Sequence, residues 1–254
     1  MARKRLFLTI FFVTGVSTAS VAVMADDNEV PPLSPAQIAL FESDHLKSIQ
    51  HPDRLEYRFE REAGSGGSAA PQGAAPADPG SYTDRIDLDV RPRPDEKKDV
   101  WVDFLTGDRH MPFPPMIGFR GNPVLMFFLE HDVEEMERVS GGTAGYFRTR
   151  IRQAFVDRAE LKEIDVTHDG TASPATEIIL KPFTNDPRIS MFPELKDKSY
   201  RFVLTDAVPG SIYEIDAETA GAAGQKPPVK ETMVFVGEHP CAGSEGPCDT
   251  PVAQ

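Results

Sequence analysis

Three hydrophobic rhythms follow one another along the chain. The first is a run: Leu6 to Val13 is apolar apart from Thr9, follows the basic Arg3, Lys4 and Arg5, and leads to Val23 and Ala25 at −3 and −1 before Asp26. That is the layout of a secretory signal peptide. A membrane anchor needs roughly 18 uninterrupted apolar residues, whereas Thr14, Gly15, Ser17, Thr18 and Ser20 break this run. Residues 1–25 are therefore expected to be a cleaved leader, not a stable membrane anchor. No Cys stands at the cleavage point and no paired arginines precede the run, which points to Sec-type export of an unlipidated protein, periplasmic or secreted.

The second rhythm has the helical period. Ser34 can cap a helix with Pro35 at its first position, and Ile38, Phe41, Leu46 and Ile49 then share one apolar face, with Leu40 off it, until His51-Pro52 stops the pattern near residue 49. In mid-chain Asn122 and Pro123 open a helix that runs to about Val139, before Gly141-Gly142. Its inner stripe is Leu125, Leu129, Val133 and Met136, and Glu130, Glu134 and Glu137 lie on another face. Thr143 starts the next, with Tyr146, Phe147, Ile151, Phe155 and Leu161 inward and Arg148, Arg150, Arg152 and Arg158 outward. An acidic helix beside a basic one predicts antiparallel packing with cross-helix ion pairs, each worth about 0–1 kcal/mol when exposed.

The third rhythm has a period of two. Leu55, Tyr57 and Phe59 alternate with Glu56, Arg58 and Glu60; Ile86, Leu88 and Val90 alternate with Arg85, Asp87 and Asp89; Val100, Val102 and Phe104 follow. After the helical pair, strands recur around Ile164 and Val166, Ile178 and Leu180, Tyr200 to Leu204, Ile212 to Ile215, and Met233 and Phe235, separated by turns such as Asp169-Gly170 and Pro209-Gly210. About eight strands without βαβ alternation predict an α+β fold: an antiparallel sheet with an N-terminal helix and a central pair of helices. Between the first two strands, seventeen of the nineteen residues 63–81 are Gly, Ala, Ser or Pro. Such a stretch cannot bury enough apolar surface to order itself, so it is expected to be a flexible insertion in a hairpin. Residues 26–240 are then one domain, and 241–254 a tail.

The tail carries both cysteines, Cys241 and Cys248, flanked by Gly and Pro. In an oxidising compartment they are expected to close a small disulfide loop, dispensable for the fold; a metal site with His239 would lack a fourth ligand. The formal net charge of −13 becomes −16 once Arg3, Lys4 and Arg5 are removed with the leader. That disfavours nucleic acid and anionic membrane surfaces, serves solubility, and would suit a cationic protein partner.

The order of elements, an N-terminal helix, strands, a central helical insertion and more strands, resembles the periplasmic half-barrel carriers of lipids and lipoproteins, the Lol-type fold. The resemblance covers nearly all of the mature chain in element order and no residue motif. It implies a curved, half-barrel-like sheet whose apolar concavity holds an acyl chain.

Two segments carry candidate chemistry. Phe104 to Pro123 has neither helical nor strand period yet contains Met111, Phe113, Met116, Ile117 and Phe119. It either covers an apolar pocket as a lid, with Arg109 and His110 as polar contacts for a head group, or packs across the open end of the sheet. The central helix offers His131, Asp132, Glu134 and Glu135, oxygen-rich enough to hold calcium or a similar hard cation, although no His-Glu-x-x-His motif and no EF-hand loop is present. No Gly-x-Ser-x-Gly elbow and no phosphate-cradling Gly loop occurs. Six histidines, at 45, 51, 110, 131, 168 and 239, would have to converge in space to make an active site. The chain thus reads as a non-enzymatic binding or accessory protein for a hydrophobic or lipidic ligand, with no cofactor and an open oligomeric state. A carboxylate-based cation binder is the alternative and an enzyme a further one.

Overall fold

The computed structural model describes residues 32–64, 79–221, 228–242 and 246–248. The leader, most of the insertion and most of the tail lie outside the described residues.

Strand β1 (Asp53–Ala63) pairs on one side with β2 (Tyr82–Pro92), which pairs with β3 (Lys98–Phe104). The short β4 (Met111–Pro112) and β5 (Met116–Phe119) both lie along β3. The chain then makes α2 (Val124–Ser140) and α3 (Ala144–Asp157). It returns through β6 (Glu160–His168), β7 (Thr171–Leu180), β8 (Ser199–Leu204), β9 (Ile212–Thr219) and β10 (Val229–Pro240), each antiparallel to the one before. β10 finally pairs with β1, so the order is β4-β3-β2-β1-β10-β9-β8-β7-β6 in one open, curved antiparallel sheet of ten strands. The α+β class is as expected; the two additional strands come from the segment after Phe104, whose Met111 and Met116 pair with the β3 residues Phe104 and Val100.

Alternation sets the inner face. Ile178, Phe202, Ile215, Met233 and Phe59 are register partners in a row across five strands, and Phe104, Ile86, Tyr57 and Phe235 form a second row. All are buried, so each strand turns its apolar set to the same side. The helices cover that side: Phe128 of α2 lies against Phe59, and Phe155 of α3 against Phe202.

The N-terminal helix is shorter than its periodicity predicts. Ser34 caps α1 (Pro35–Gln37) in a capping box with Gln37, and the helix continues as one π turn, Ile38–Glu42, closed by the Ser43 N–H to the Ile38 carbonyl at 3.0 Å. The wider turn changes which side chains face inward. Ala36 and Leu40 are buried at 1% exposure, whereas Ile38 and Phe41 are 50% and 38% exposed. Leu46 and Ile49 are buried as expected, but on non-helical turns. Leu161 also differs: it falls beyond α3, on β6, and is exposed. Of the arginines expected outward, Arg150 is drawn against buried Asp186 and Arg158 donates to the Pro182 carbonyl.

Outer sheet faces are covered in one place by the C-terminal segment. Asp89, 4% exposed, accepts two bonds from Arg54 (2.6 and 2.9 Å) and one from the Cys248 N–H (2.8 Å). Buried Arg91 donates to the carbonyls of Ala242, Gly246 and Pro247. Cys241 and Cys248 are bonded, with Cα atoms 5.1 Å apart, and the loop they close delivers its carbonyls to the buried guanidinium.

Candidate functional site

The entry to α2 is fixed by polar groups. The helix begins one residue later than expected, with Pro123 at the cap position; the Asn122 side chain just before it accepts from the Val124 N–H at 3.2 Å and donates to the Tyr57 hydroxyl and the Gly210 carbonyl, both at 3.0 Å. Its backbone N–H donates to His45 Nδ1 at 3.2 Å, while His45 Nε2 lies 2.8 Å from the Ala39 carbonyl. That pattern places the proton on Nε2 of a neutral ring, and burial, the largest influence, lowers its pKa. His45 thus ties α1 and its π turn to the start of α2.

Two buried charge clusters hold α2 on the sheet. Asp132, 3% exposed, accepts from Lys198 Nζ and from the Tyr200 hydroxyl, both at 2.5 Å. One residue earlier, His131 Nε2 stands 3.4 Å from Glu231 Oε2, and the other Glu231 oxygen accepts from Arg61 at 2.8 Å. Burial alone would raise the Glu231 pKa, but the adjacent His131, then Arg61 and Lys198, push it down to about 2. Burial likewise opposes the His131 imidazolium, and the Glu231 carboxylate 3.4 Å away, helped by the charges of Asp132 and Glu135, outweighs it and raises its pKa.

A groove opens on the other flank of α2. Phe41 from the π turn, Met126, Leu129 and Val133 from α2, and Ile151 and Phe155 from α3 line a cavity of about 350 Å³, within the ~300–1,000 Å³ of small-molecule sites. Its polar rim is Gln37, Glu130, Arg148 and Arg152. Gln37 is occupied by the capping box, and Arg148 makes a two-pronged ion pair with Glu130 across the helices. The floor is buried, while Phe41 and Met126 at the mouth are 38% and 37% exposed.

The residues expected to form a site are distributed differently. Met111, Phe113 and Met116 are half-buried and pack on the core, with Phe113 stacked on Phe127 at 3.9 Å between centroids. Phe119 is half-buried at the β5 end, and Ile117 is 61% exposed. Arg109 reaches Asp84 at 2.8 Å and lies over the Tyr82 ring, and His110 is 3.7 Å from Asp103. None of these lines the groove. Of the acidic set, His131 and Asp132 point to the two buried clusters, Glu135 pairs with Arg138 at 2.6 Å, and Glu134 is exposed. The four do not bring ligating atoms together; among the described residues the group that does is Asp89 with Cys241 and Cys248, whose sulfurs are bonded to each other. Histidines 45, 110, 131, 168 and 239 each face a different partner, and His51 is exposed.

No protein family and no curated protein matches the chain. Solved structures similar to it include MucB in complex with MucA(peri), at 10% identity and TM-score 0.35, covering 79% of this chain and 55% of that one. Lipovitellin, described for its lipid–protein interactions, gives 12% identity and TM-score 0.29, over 79% of this chain and 27% of that one. LprF from Mycobacterium bovis gives 10% and 0.28, over 85% and 99%. The chain thus spans 55% of the MucB chain's length and 27% of lipovitellin's. The open, curved antiparallel sheet with its helices on one side fits a half-barrel; what the protein binds rests on its own groove.

Proposed function

We propose that the protein is an exported, non-enzymatic binding protein that holds a hydrophobic ligand, an acyl chain foremost, in the groove between the π turn, α2 and α3. One observation carries the reading: six apolar side chains from three elements converge on an open cavity of about 350 Å³ and leave Phe41 and Met126 in contact with water. Burying such a surface is worth about 25 cal/mol per Å², and nothing in the described chain covers it. The acid–base groups that would suit catalysis, His131 and Glu231, are 7% and 2% exposed beneath α2, which supports holding over chemistry. Export rests on the leader-like first 25 residues; the intact mass of the exported protein is expected to correspond to a start at Asp26, and a start more than a few residues away would show the cleavage site misplaced.

The binding test uses a neutral fluorescent probe, N-phenyl-1-naphthylamine. Phe41→Ser with Met126→Ser, both at exposed positions, should abolish most of the probe signal with far-UV circular dichroism unchanged. Phe113→Ser with Met116→Ser serves as the second arm. Loss of signal only in that second pair would move the site to the segment after β3, and loss in neither would refute an apolar site at both places.

A further inference from the structure

The groove has a charge at its mouth that the fold does not use. Among its rim groups Glu130 is taken by Arg148, which also feels Glu137 and Glu134. Arg152, one helical turn further along α3, is exposed and, among the described residues, has no ion pair or hydrogen bond. The lining therefore carries one uncompensated positive charge in a chain whose formal net charge is −13. Arg152 shares the lining with Ile151 and Phe155 and is the exposed one of the three, so a group bound to it would adjoin the apolar wall on its solvent side.

We infer that the ligand of this groove is a single-chain anionic amphiphile, its carboxylate or phosphate at Arg152 and its alkyl chain over Leu129, Val133, Ile151 and Phe155. The inference rests on the binding role proposed above. Size agrees with one chain: a methylene takes about the ~30 Å³ of a liquid water, so about 350 Å³ accommodates on the order of a dozen methylenes. Arginine presents a planar fork that matches carboxylate and phosphate oxygens in pairs. The contact is exposed, so it selects the head group while the chain supplies most of the affinity.

Twelve-carbon ligands used below their micelle concentrations separate the two contributions. Dodecanoate, dodecyl phosphate, dodecyl maltoside and dodecyltrimethylammonium are titrated against probe-loaded protein, with inorganic phosphate as the chainless anion. In the parent protein the two anions should displace the probe about three- to fivefold more tightly than the cation, the range of an exposed ion pair, and the preference should shrink at high salt. Arg152→Gln should equalise anion and cation while leaving dodecyl maltoside unchanged. Lys162→Gln, which removes the same charge from exposed β6, should keep the preference. Equal affinities in the parent, a preference that survives Arg152→Gln, or displacement by inorganic phosphate at the same concentration would overturn the head-group assignment while leaving the groove in place. Failure of every twelve-carbon ligand to displace the probe would overturn the binding role itself, and the assignment with it.

Discussion

Replacing Lys198 by Met isolates the contact that fastens α2 to the sheet. The stem of the side chain is kept and only its ammonium is lost, so the change strands the Asp132 carboxylate at 3% exposure with the Tyr200 hydroxyl as its remaining partner. Removing one member of a buried ion pair costs about 3–5 kcal/mol, because the other charge stays desolvated. With a urea m-value of roughly 2–3 kcal/mol/M for a domain of this size, the unfolding midpoint followed by circular dichroism should fall by about 1–2 M. The converse experiment removes the polar set together: Asp132→Leu, Lys198→Met and Tyr200→Phe in one chain strand no charge and no hydroxyl, and should recover most of the loss. A cost below about 1 kcal/mol for Lys198→Met would mean that water reaches Asp132 and that α2 is not clamped there. A triple variant as damaged as the single one would show that the cluster stabilises by its charges and not by filling space.

The remaining predictions concern other parts of the fold. Because the folded-state pKa of His131 is raised, its pairing with Glu231 is fully stabilising below about pH 6.5 and is lost as pH rises through the folded value; His131→Gln should flatten that decline in urea midpoints, and an unchanged slope would refute the pairing. Glu231, held near 2, contributes stability above its unfolded value of 4.5 that disappears as pH falls toward 2, and Glu231→Gln should remove that acid-side loss. Changing Cys241 and Cys248 to Ser should cost on the order of 2 kcal/mol, read as a melting temperature lower by about 4–8 °C, with soluble protein retained; insolubility would show that the Arg91 cradle depends wholly on the bridge. Replacing residues 65–78 by a short Gly-Ser link should leave the melting temperature within a few degrees, since β1 and β2 remain paired up to Arg61 and Tyr82.

Much of the fold was legible because each strand alternates cleanly: Leu55, Tyr57 and Phe59, or Ile86, Leu88 and Val90, can bury one side only. The helical ends were harder. Ile38, Phe41, Leu46 and Ile49 fit a straight helix well, but a π turn at Ile38–Glu42 rotates the face, and period counting has no means of seeing an inserted residue. A signal for the groove was present and unread. Six consecutive apolar residues, Val124 to Leu129, exceed what a single inward stripe can hold; the surplus Met126 faces the cavity, together with Leu129 and Val133 from the stripe itself. Its other walls were beyond reach, because Phe41 and Phe155 come from elements separated by more than a hundred residues. The buried partners of His131 and Asp132 were hidden for the same reason: Glu231 and Lys198 lie far along the chain, so two residues that read as candidate cation ligands are turned inward by groups that no local pattern reveals.

The pairing of β1 with β10 has a consequence in time. Apart from this seam and the short β5 contact, every ladder joins strands adjacent in sequence, and each half can zip up as hairpins. The two halves become one sheet only when residues 229–240 arrive beside 53–63. A chain that crosses a membrane N-terminus first therefore has its first strand on the far side while its partner is still to come, and the loop between them is the longest closure the fold demands. Until then β1 has an open edge, and with it the exposure to wrong pairings that unpaired strands carry. With export as proposed, completion of the sheet waits for the passage of the C-terminal end, and any holding factor that shields β1 during that interval would raise the yield without touching the stability of the finished fold.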